Sequence, residues 1–482
     1  MNNTGRYRAW LAALLLPLWV ALTLPAHALN ALPPSVLDVQ ADDLDGIAKR
    51  RTVRALVAWS KTGYFIDKGQ QRGINLEVAR EFEKFLNTRL KTGKQPMAVV
   101  LVPVSRDKLI SYLAEGRGDI ALAGLSMTPS RREKMDFSVP IHEHVNEIIV
   151  RHKLAPQVRS LVDLAGKTVY LRPSSSYFES LQQMNSHLRG SGHAPVKIMP
   201  LDEHLADEDI LEMMNAGLID YTILDDFRAS FWARIFTDVV LDKDAAVARD
   251  LPIAYGLRKN TPKLKALLDE FLKNHRIGSM YGNVLAKRYF NDNIWARSAL
   301  NPKSMASFQK TVSIFKHYSD TYHFDYLMLT AQGYQESGLD QKQRSHVGAI
   351  GVMQVMPATG REMKVGDIRK LDPNIHAGVK YMSQLSRVYF NEPELDDFNR
   401  TLFCFAGYNA GPNRIARLRK VAQERGLNPN IWFDNVERVV AEKVSQETVQ
   451  YVLNISKYYY AYKLVEENEK RRAQAIDALE KK

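Results

Sequence analysis

One glutamate stands in a place where an ordinary surface carboxylate is disfavoured. Glu336 falls in the last turn of a segment that reads as a helix: Asp325 supplies an N-cap, Leu327, Leu329, Ala331 and Tyr334 supply apolar positions, and Gly338 stops it. The negative end of the helix dipole works against an ionised side chain there and favours the protonated acid. Desolvation by apolar neighbours would add to that effect, giving a carboxylic acid that holds its proton near neutral pH, as a general acid must. A single glutamate at a helix end is usually just a solvated residue, so the residues around it decide the matter. Ser345, Gly348 and Gly351 lie in a loop that runs into Val352-Met353-Gln354-Val355-Met356-Pro357. Ala406-Gly407-Tyr408-Asn409-Ala410-Gly411-Pro412 comes next, and then Glu447-Thr448-Val449-Gln450-Tyr451-Val452.

This ordered set, from about Ser307 to Lys463, resembles the soluble-lytic-transglycosylase family, whose pattern is ES, then GxxGxMQxMP, then AxYNAGP, then ETxxYV. One departure is visible. Gly407 stands where the family more often has alanine, and looser packing is expected there. The resemblance implies a mainly α, lysozyme-like domain in which Glu336 is the catalytic residue. It implies that Ser337, Met353 and Gln354 line sugar subsites, that Tyr408 and Asn409 face the scissile bond, and that Tyr451 donates to Glu336 and orients it. Gly348 and Gly351 suit tight loop geometry or a plain turn equally well.

The elements that must position these residues belong to a chain of 482 residues, too long for one ordinary core. Its hydrophobic (45%) and charged (25%) fractions are those of a globular protein, and its net charge of +12 is compatible with nucleic acid, anionic lipid or an acidic polymer. Residues 1–28 read as a secretory signal peptide: Arg6 and Arg8, an apolar run from Trp10 to Leu24, then Ala26-His27-Ala28. The run is short for a membrane span. Cys404 is the only cysteine, so no intrachain disulfide can form, and it reads as a small buried hydrophobe.

After a polar leader (29–50), strands at Val53–Ala58, Ala98–Val104 and Asp119–Ala123 alternate with helices at Leu76–Leu90 and Arg106–Glu115. Such alternation predicts an α/β layer with a mostly parallel sheet. Gly118-Asp119 through Ser126, Thr128 and Arg131, followed by Asp136-Phe137-Ser138-Val139-Pro140, resembles the family-3 periplasmic solute-binding proteins. Leu164 to Val169, Pro173 to Tyr177 and Gly217 to Asp225 continue the resemblance, which spans about Val53 to Tyr289. It implies a two-lobed periplasmic-binding-protein fold over 51–290, with a second lobe at about 153–245 and a hinge near residues 150 and 245. It also implies that Arg131 grips a ligand carboxylate and Asp225 an ammonium, with Ser126, Thr128 and Ser175 beside them. Planar guanidinium and opposed carboxylate are a physically sensible pair for a zwitterion. The candidate ligand is an amino acid or a muropeptide, or there is none.

Residues 291–304 read as a short connector, 305–465 as the transglycosylase domain and 466–482 as a charged, solvated tail. His142-Glu143-His144 lacks the spacing and third ligand of a metal site, and no metal or other cofactor is expected. The chain has no phosphate-binding loop and no nucleophile elbow, and Tyr458, Tyr459, Tyr460 and Tyr462 read as helix core rather than a base-stacking platform. Nucleic acid is not an expected partner.

Taken together, the resemblances imply a peptidoglycan lytic transglycosylase. It would cut the MurNAc–GlcNAc bond without water, leaving 1,6-anhydromuramyl ends, under regulation by a ligand of the N-terminal domain. Glycan strands are the expected partner, and the periplasm of a Gram-negative bacterium, with a peripheral position at the outer membrane as an option, the expected location. A lysozyme-type hydrolase and a non-catalytic wall-fragment sensor stay open as alternatives.

Overall fold

Strand β1 (Thr52–Ala58) points Val53, Ala55 and Val57 into one apolar core and Leu56 into another, so it is buried on both faces. That pattern suits the middle of a covered sheet. The computed structural model describes residues 31–34, 36–291 and 299–480. The segment read as a signal peptide and residues 292–298 of the expected connector lie outside the described residues.

The α/β part opens with α1 (Leu44–Arg50) and β1, followed by a short hairpin, β2 (Phe65–Asp67) and β3 (Gln70–Arg72). Then come α2 (Ile74–Arg89), β4 (Ala98–Val104), α3 (Lys108–Ala114), β5 (Ile120–Ser126), α4 (Pro129–Lys134), β6 (Asp136–Phe137) and β7 (His142–His152). The second lobe holds β8 (Thr168–Leu171), α5 (Ser176–Gly190), β9 (Lys197–Pro200), α6 (Asp207–Asn215), β10 (Tyr221–Asp225) and α7 (Asp226–Trp232). β11 (Val239–Leu257) returns to the first lobe, followed by α8 (Pro262–Leu272) and α9 (Met280–Asn291).

The main sheet runs in the order β10-β7-β11-β5-β1-β4, with β6 on β11. It is mixed, not mostly parallel. Only the pairings of β1 with β4 and β5 are parallel, and every pairing of β7 and β11 is antiparallel. Local β-α-β alternation reveals the first kind of pairing and cannot reveal a 19-residue strand that runs back between lobes. The register of these crossing strands shifts repeatedly from Asp242 to Ile253, a stretch that includes residue 245, and His144 and Asp250, both at positive φ, are joined there by a 2.8 Å contact.

The helical part comprises α10 (Pro302–Tyr322), α11 (Tyr326–Ser337), α12 (Pro357–Met363), α13 (Leu371–Tyr389), α14 (Asp397–Ala410), α15 (Pro412–Glu424), α16 (Glu437–Lys443) and α17 (Gln446–Glu480). Phe390, Phe403, Phe405 and Trp432 are fully buried at its centre, each contributing roughly 1.5–3 kcal/mol of burial energy. Cys404 is buried among them, which pushes its thiol well above the ordinary range.

The same apolar core continues into the first lobe through Val102, Leu109 and Tyr112. Leu32, Val36 and Leu37 of the supposedly polar leader are buried in it. Helix α17 ties the parts together. Gln446 accepts from the Tyr64 hydroxyl at 2.6 Å, and Gln450 brackets the Ile66 backbone with bonds of 2.6 and 3.1 Å. Lys457 meets Asp209 of the second lobe at 2.8 Å. The expected tail is the end of this helix: its start is docked, with Glu466 accepting from Tyr326 at 2.6 Å and Asn468 donating to the Leu218 carbonyl, while residues 469–474 are exposed. Among the described residues no helix is long and apolar enough to cross a membrane.

Candidate active site

Asp325 caps α11 by accepting from the Leu327 N–H at 2.8 Å, and Leu327, Leu329 and Ala331 anchor the helix in the core. Gly338 ends it in the left-handed conformation at φ 68°, which glycine adopts without strain. Glu336 is thereby held in the last turn, closely surrounded. Burial pushes its carboxyl up to about 7, while the hydrogen bond it accepts from the Tyr451 hydroxyl, at 2.5 Å, pulls the other way. No second carboxylate contributes to that shift. Gln332, one turn before Glu336 and fully buried, reaches the Tyr451 oxygen at 3.5 Å. Gln332 leaves no mark in the sequence, because a polar residue inside an apolar helix face carries no sign of what it touches.

The loop after α11 is built by bonds the motif residues do not reveal. Asn374 on α13 is wholly buried, accepting from the Met353 N–H at 2.9 Å and donating to the Ile350 and Ile368 carbonyls. Gln341 accepts from the Val352 N–H at 3.1 Å. Gly351 sits at φ 75°, and a Cβ there would lie 2.5–2.7 Å from Gln341 and Asn374, so both conformation and space require glycine. Ser345 caps the turn by accepting from the Ala349 N–H, and Gly348 has φ 89°.

The other expected subsite residues are placed as follows. Ser337 donates to the Val352 carbonyl at 2.9 Å, stitching the helix end to the loop. The Met353 side chain is fully buried over Gly378, so it packs in the core instead of facing a sugar; its carbonyl accepts from the Tyr408 hydroxyl at 2.7 Å. Gln354, at φ 46°, donates back to the Gly351 carbonyl. Tyr408 is near enough to Glu336 for that charge, added to burial, to push its phenol far up. Asn409 is exposed, and its side-chain oxygen accepts from Thr448, three residues before Tyr451 on α17. Glu336, Tyr408 and Tyr451 thus come together in one cluster, with the exposed Asn409 next to Tyr408 in the chain. At Gly407 the expected looseness is absent: the Phe390 ring and Pro412 come within 3.3 Å of where a Cβ would be.

In the α/β part, Ser126, Thr128, Arg131, Ser175 and Asp225 do converge where the lobes meet, but each is engaged by the chain itself. Ser126 and Ser176 share a 3.0 Å bond across the lobes, and Thr128 and Ser130 hold Glu179. Arg131 donates to the Ser126 and Ser174 carbonyls. Ser175 donates to the Arg172 carbonyl and caps α5. Asp225 pairs with Arg228 at 3.0 Å. His142 stacks on Phe227 at 4.7 Å, whereas His144 belongs to the strand contact with Asp250.

Residues 313–431 match the Transglycosylase SLT domain family, and residues 56–292 match the bacterial extracellular solute-binding proteins, family 3. A protein of Desulfosudis oleivorans called membrane-bound lytic murein transglycosylase F is 27% identical over 77% of this chain and 78% of its own length. One of the same name from Shewanella pealeana is 29% identical over 82% of each chain. A solved ancestral arginine-binding protein is 22% identical, covering 50% of this chain and 99% of its own, with a TM-score of 0.40. The chain thus carries a family-3 solute-binding domain followed by a transglycosylase SLT domain, and over most of its length it is similar to proteins called membrane-bound lytic murein transglycosylase F.

Proposed function

We propose that this peptidoglycan lytic transglycosylase cuts the bond between N-acetylmuramic acid and N-acetylglucosamine by an internal displacement that consumes no water. The observation that carries this reading is a lone carboxyl, pushed up to about 7 by burial and bound by a single hydroxyl. Glycoside hydrolysis ordinarily engages two carboxylates, as acid and as nucleophile or base. Here one group serves in turn. Glu336, protonated at rest, gives its proton to the glycosidic oxygen as the bond to the anomeric carbon breaks. The substrate's own 2-acetamido group stabilises the positive charge left there. Glu336, now ionised, takes the proton of the muramyl C6 hydroxyl, whose oxygen closes the 1,6-anhydro ring, and the acid is regenerated. A pKa near the working pH suits a group that must both give and take a proton. Tyr451 steadies the ionised form between the two steps, and Asn409, exposed and held through its side-chain oxygen by Thr448, keeps its amide N–H groups for hydrogen bonds to the sugar.

Mass spectrometry of sacculus digests tests this. The wild type is expected to give anhydromuramyl ends and Glu336→Gln almost none. Reducing muramyl ends alone, heavier by one water, would identify a hydrolase and sink the proposal.

Regulation by the N-terminal domain is the second part of the reading. The helix that carries Tyr451 also carries Gln446 and Gln450, bonded to the first lobe, and Lys457, bonded to the second. A ligand that binds the closed lobes more tightly than the open ones would bias this helix by that difference in affinity and no more. Sacculus turnover measured with and without muropeptides decides it: equal rates at demonstrated saturation would remove the regulatory part. The signal-like segment and the wall substrate support a periplasmic location, peripheral to the outer membrane.

A further inference from the structure

The gap beside Arg131 and Asp225 cannot seat a free amino acid. Its volume is about 20 Å³, room for little more than a water, which needs roughly 10–15 Å³. Its charges are also already matched. Arg228, on α7, sets its Nε 3.0 Å from Asp225, one Nη 3.0 Å from Asp207, and the other 3.0 Å from the Gly124 carbonyl of the opposite lobe. An incoming ammonium would have to displace this guanidinium from Asp225. The second Asp225 oxygen is buried without a partner and opens only onto the small gap.

Next to it the lobes enclose a much larger cavity, of about 380 Å³. Phe227, Phe231 and Trp232 of α7 form an apolar wall, and Ile141 and Tyr255 of the first lobe line the opposite side. The polar feature that stands out is Arg106. It borders both cavities, is partly buried, and among the described residues has no hydrogen-bond or ion-pair partner, whereas the buried cations beside it, Arg131, Arg172 and Arg228, are engaged. Arg172 and Arg228 share Asp207, and Arg131 is held by carbonyls with Glu179 3.9 Å away at the rim. Glu208 lines the cavity too, but accepts from the Lys61 backbone and faces Lys457. Burial lowers the pKa of Arg106 to about 10; Asp207 pulls the other way, but Arg172 and Arg228, which already share that carboxylate, add repulsion. A desolvated arginine without a partner is costly, and its planar fork matches a carboxylate.

We propose that the inter-lobe cavity binds an organic carboxylate whose neighbouring nitrogen carries no charge, with the carboxylate on Arg106 and an apolar body against Phe227, Phe231 and Trp232. Arg228 is then the specificity determinant. It supplies from within the chain the cation that a free amino acid would bring, and so excludes zwitterions. This deepens the reading of the N-terminal domain as a ligand-binding unit, and is tested by binding alone, with no wall polymer and no turnover. Its failure would leave the lytic reading untouched.

Calorimetric titration of the full chain with three matched probes decides it. N-acetyl-L-phenylalanine has the carboxylate alone, L-phenylalanine has both charges and N-acetyl-L-phenylalaninamide has neither. N-acetyl-L-phenylalanine is expected to bind at least about tenfold more tightly than either of the others, and Arg106→Gln, checked for an unchanged melting curve, to erase that preference. Equal binding of L-phenylalanine, equal binding of the amide, binding of the acid unaltered by Arg106→Gln, or binding of none of the three would each overturn the proposal.

Discussion

Replacing Glu336 by glutamine separates what burial does to stability from what it does for chemistry. The carboxyl is moved from the ordinary glutamate value of 4.5 to about 7, mainly by burial. At about 1.4 kcal/mol for each tenfold change in acidity, an ionised Glu336 costs the fold about 3 kcal/mol. Below 4.5 both folded and unfolded chains hold the proton and no cost arises; between 4.5 and 7 the unfolded chain ionises first, so stability falls as pH rises; above 7 the cost is borne in full. Glutamine keeps the size of the side chain and an oxygen to accept from Tyr451, and it never ionises. Glu336→Gln should therefore melt with the wild type near pH ~4.5 and roughly 5–10 °C above it near pH ~8.5, for a helical domain of this size. Scanning calorimetry of the full chain at both pH values, with sacculus digestion run alongside, measures both effects. The variant should be inactive at either pH. A melting difference independent of pH, or a variant less stable than the wild type in alkali, would refute the claim that Glu336 is a desolvated acid.

Tyr451→Phe removes the one bond that pulls the Glu336 carboxyl downward, so the alkaline fall in sacculus digestion should shift to a midpoint above the wild type's, with turnover down by about 10–100-fold. A pH profile that keeps its midpoint would argue against that bond. Asn374→Leu strands the Met353 N–H and the Ile350 and Ile368 carbonyls in the core, at a cost of about 3 kcal/mol or more. Chemical denaturation should show this loss, with lytic activity falling as the loop loosens. Gly407→Ala should leave stability within about 1 kcal/mol of the wild type, because the gain of alanine over glycine inside a helix is offset by tight 3.3 Å contacts with the Phe390 ring and Pro412. A larger gain in stability on denaturation would show slack that the packing does not suggest.

How far these sites could be read from the sequence depended on whether the signal was local. The helix that ends at Gly338 was legible because a cap, an apolar period and a stop glycine all act within one segment, and they place Glu336 in its last turn. Whether that position is dry was not legible, since the hydroxyl facing it comes from Tyr451, 115 residues away. The same limit explains Met353. A motif shows that a residue type belongs in a loop, but its burial depends on the approach of Gly378 from α13, where a Cβ would come within 2.7 Å of it. Asn374 and Gln341 left no trace for a related reason: their task is to satisfy another segment's backbone, and any sequence holds many buried-capable amides. In the α/β part the individual strands were readable from their apolar runs, while the mixed pairing was not, because strand direction is set by which crossover returns beside which. Arg228 is the sharpest case. Three residues after Asp225 it reads as one more charge in the first turns of a helix, and only the folded chain shows its guanidinium against the carboxylate that a ligand's ammonium would need. A binding-site residue recognised by its type alone can thus be already occupied, and what occupies it then helps decide which ligands remain possible.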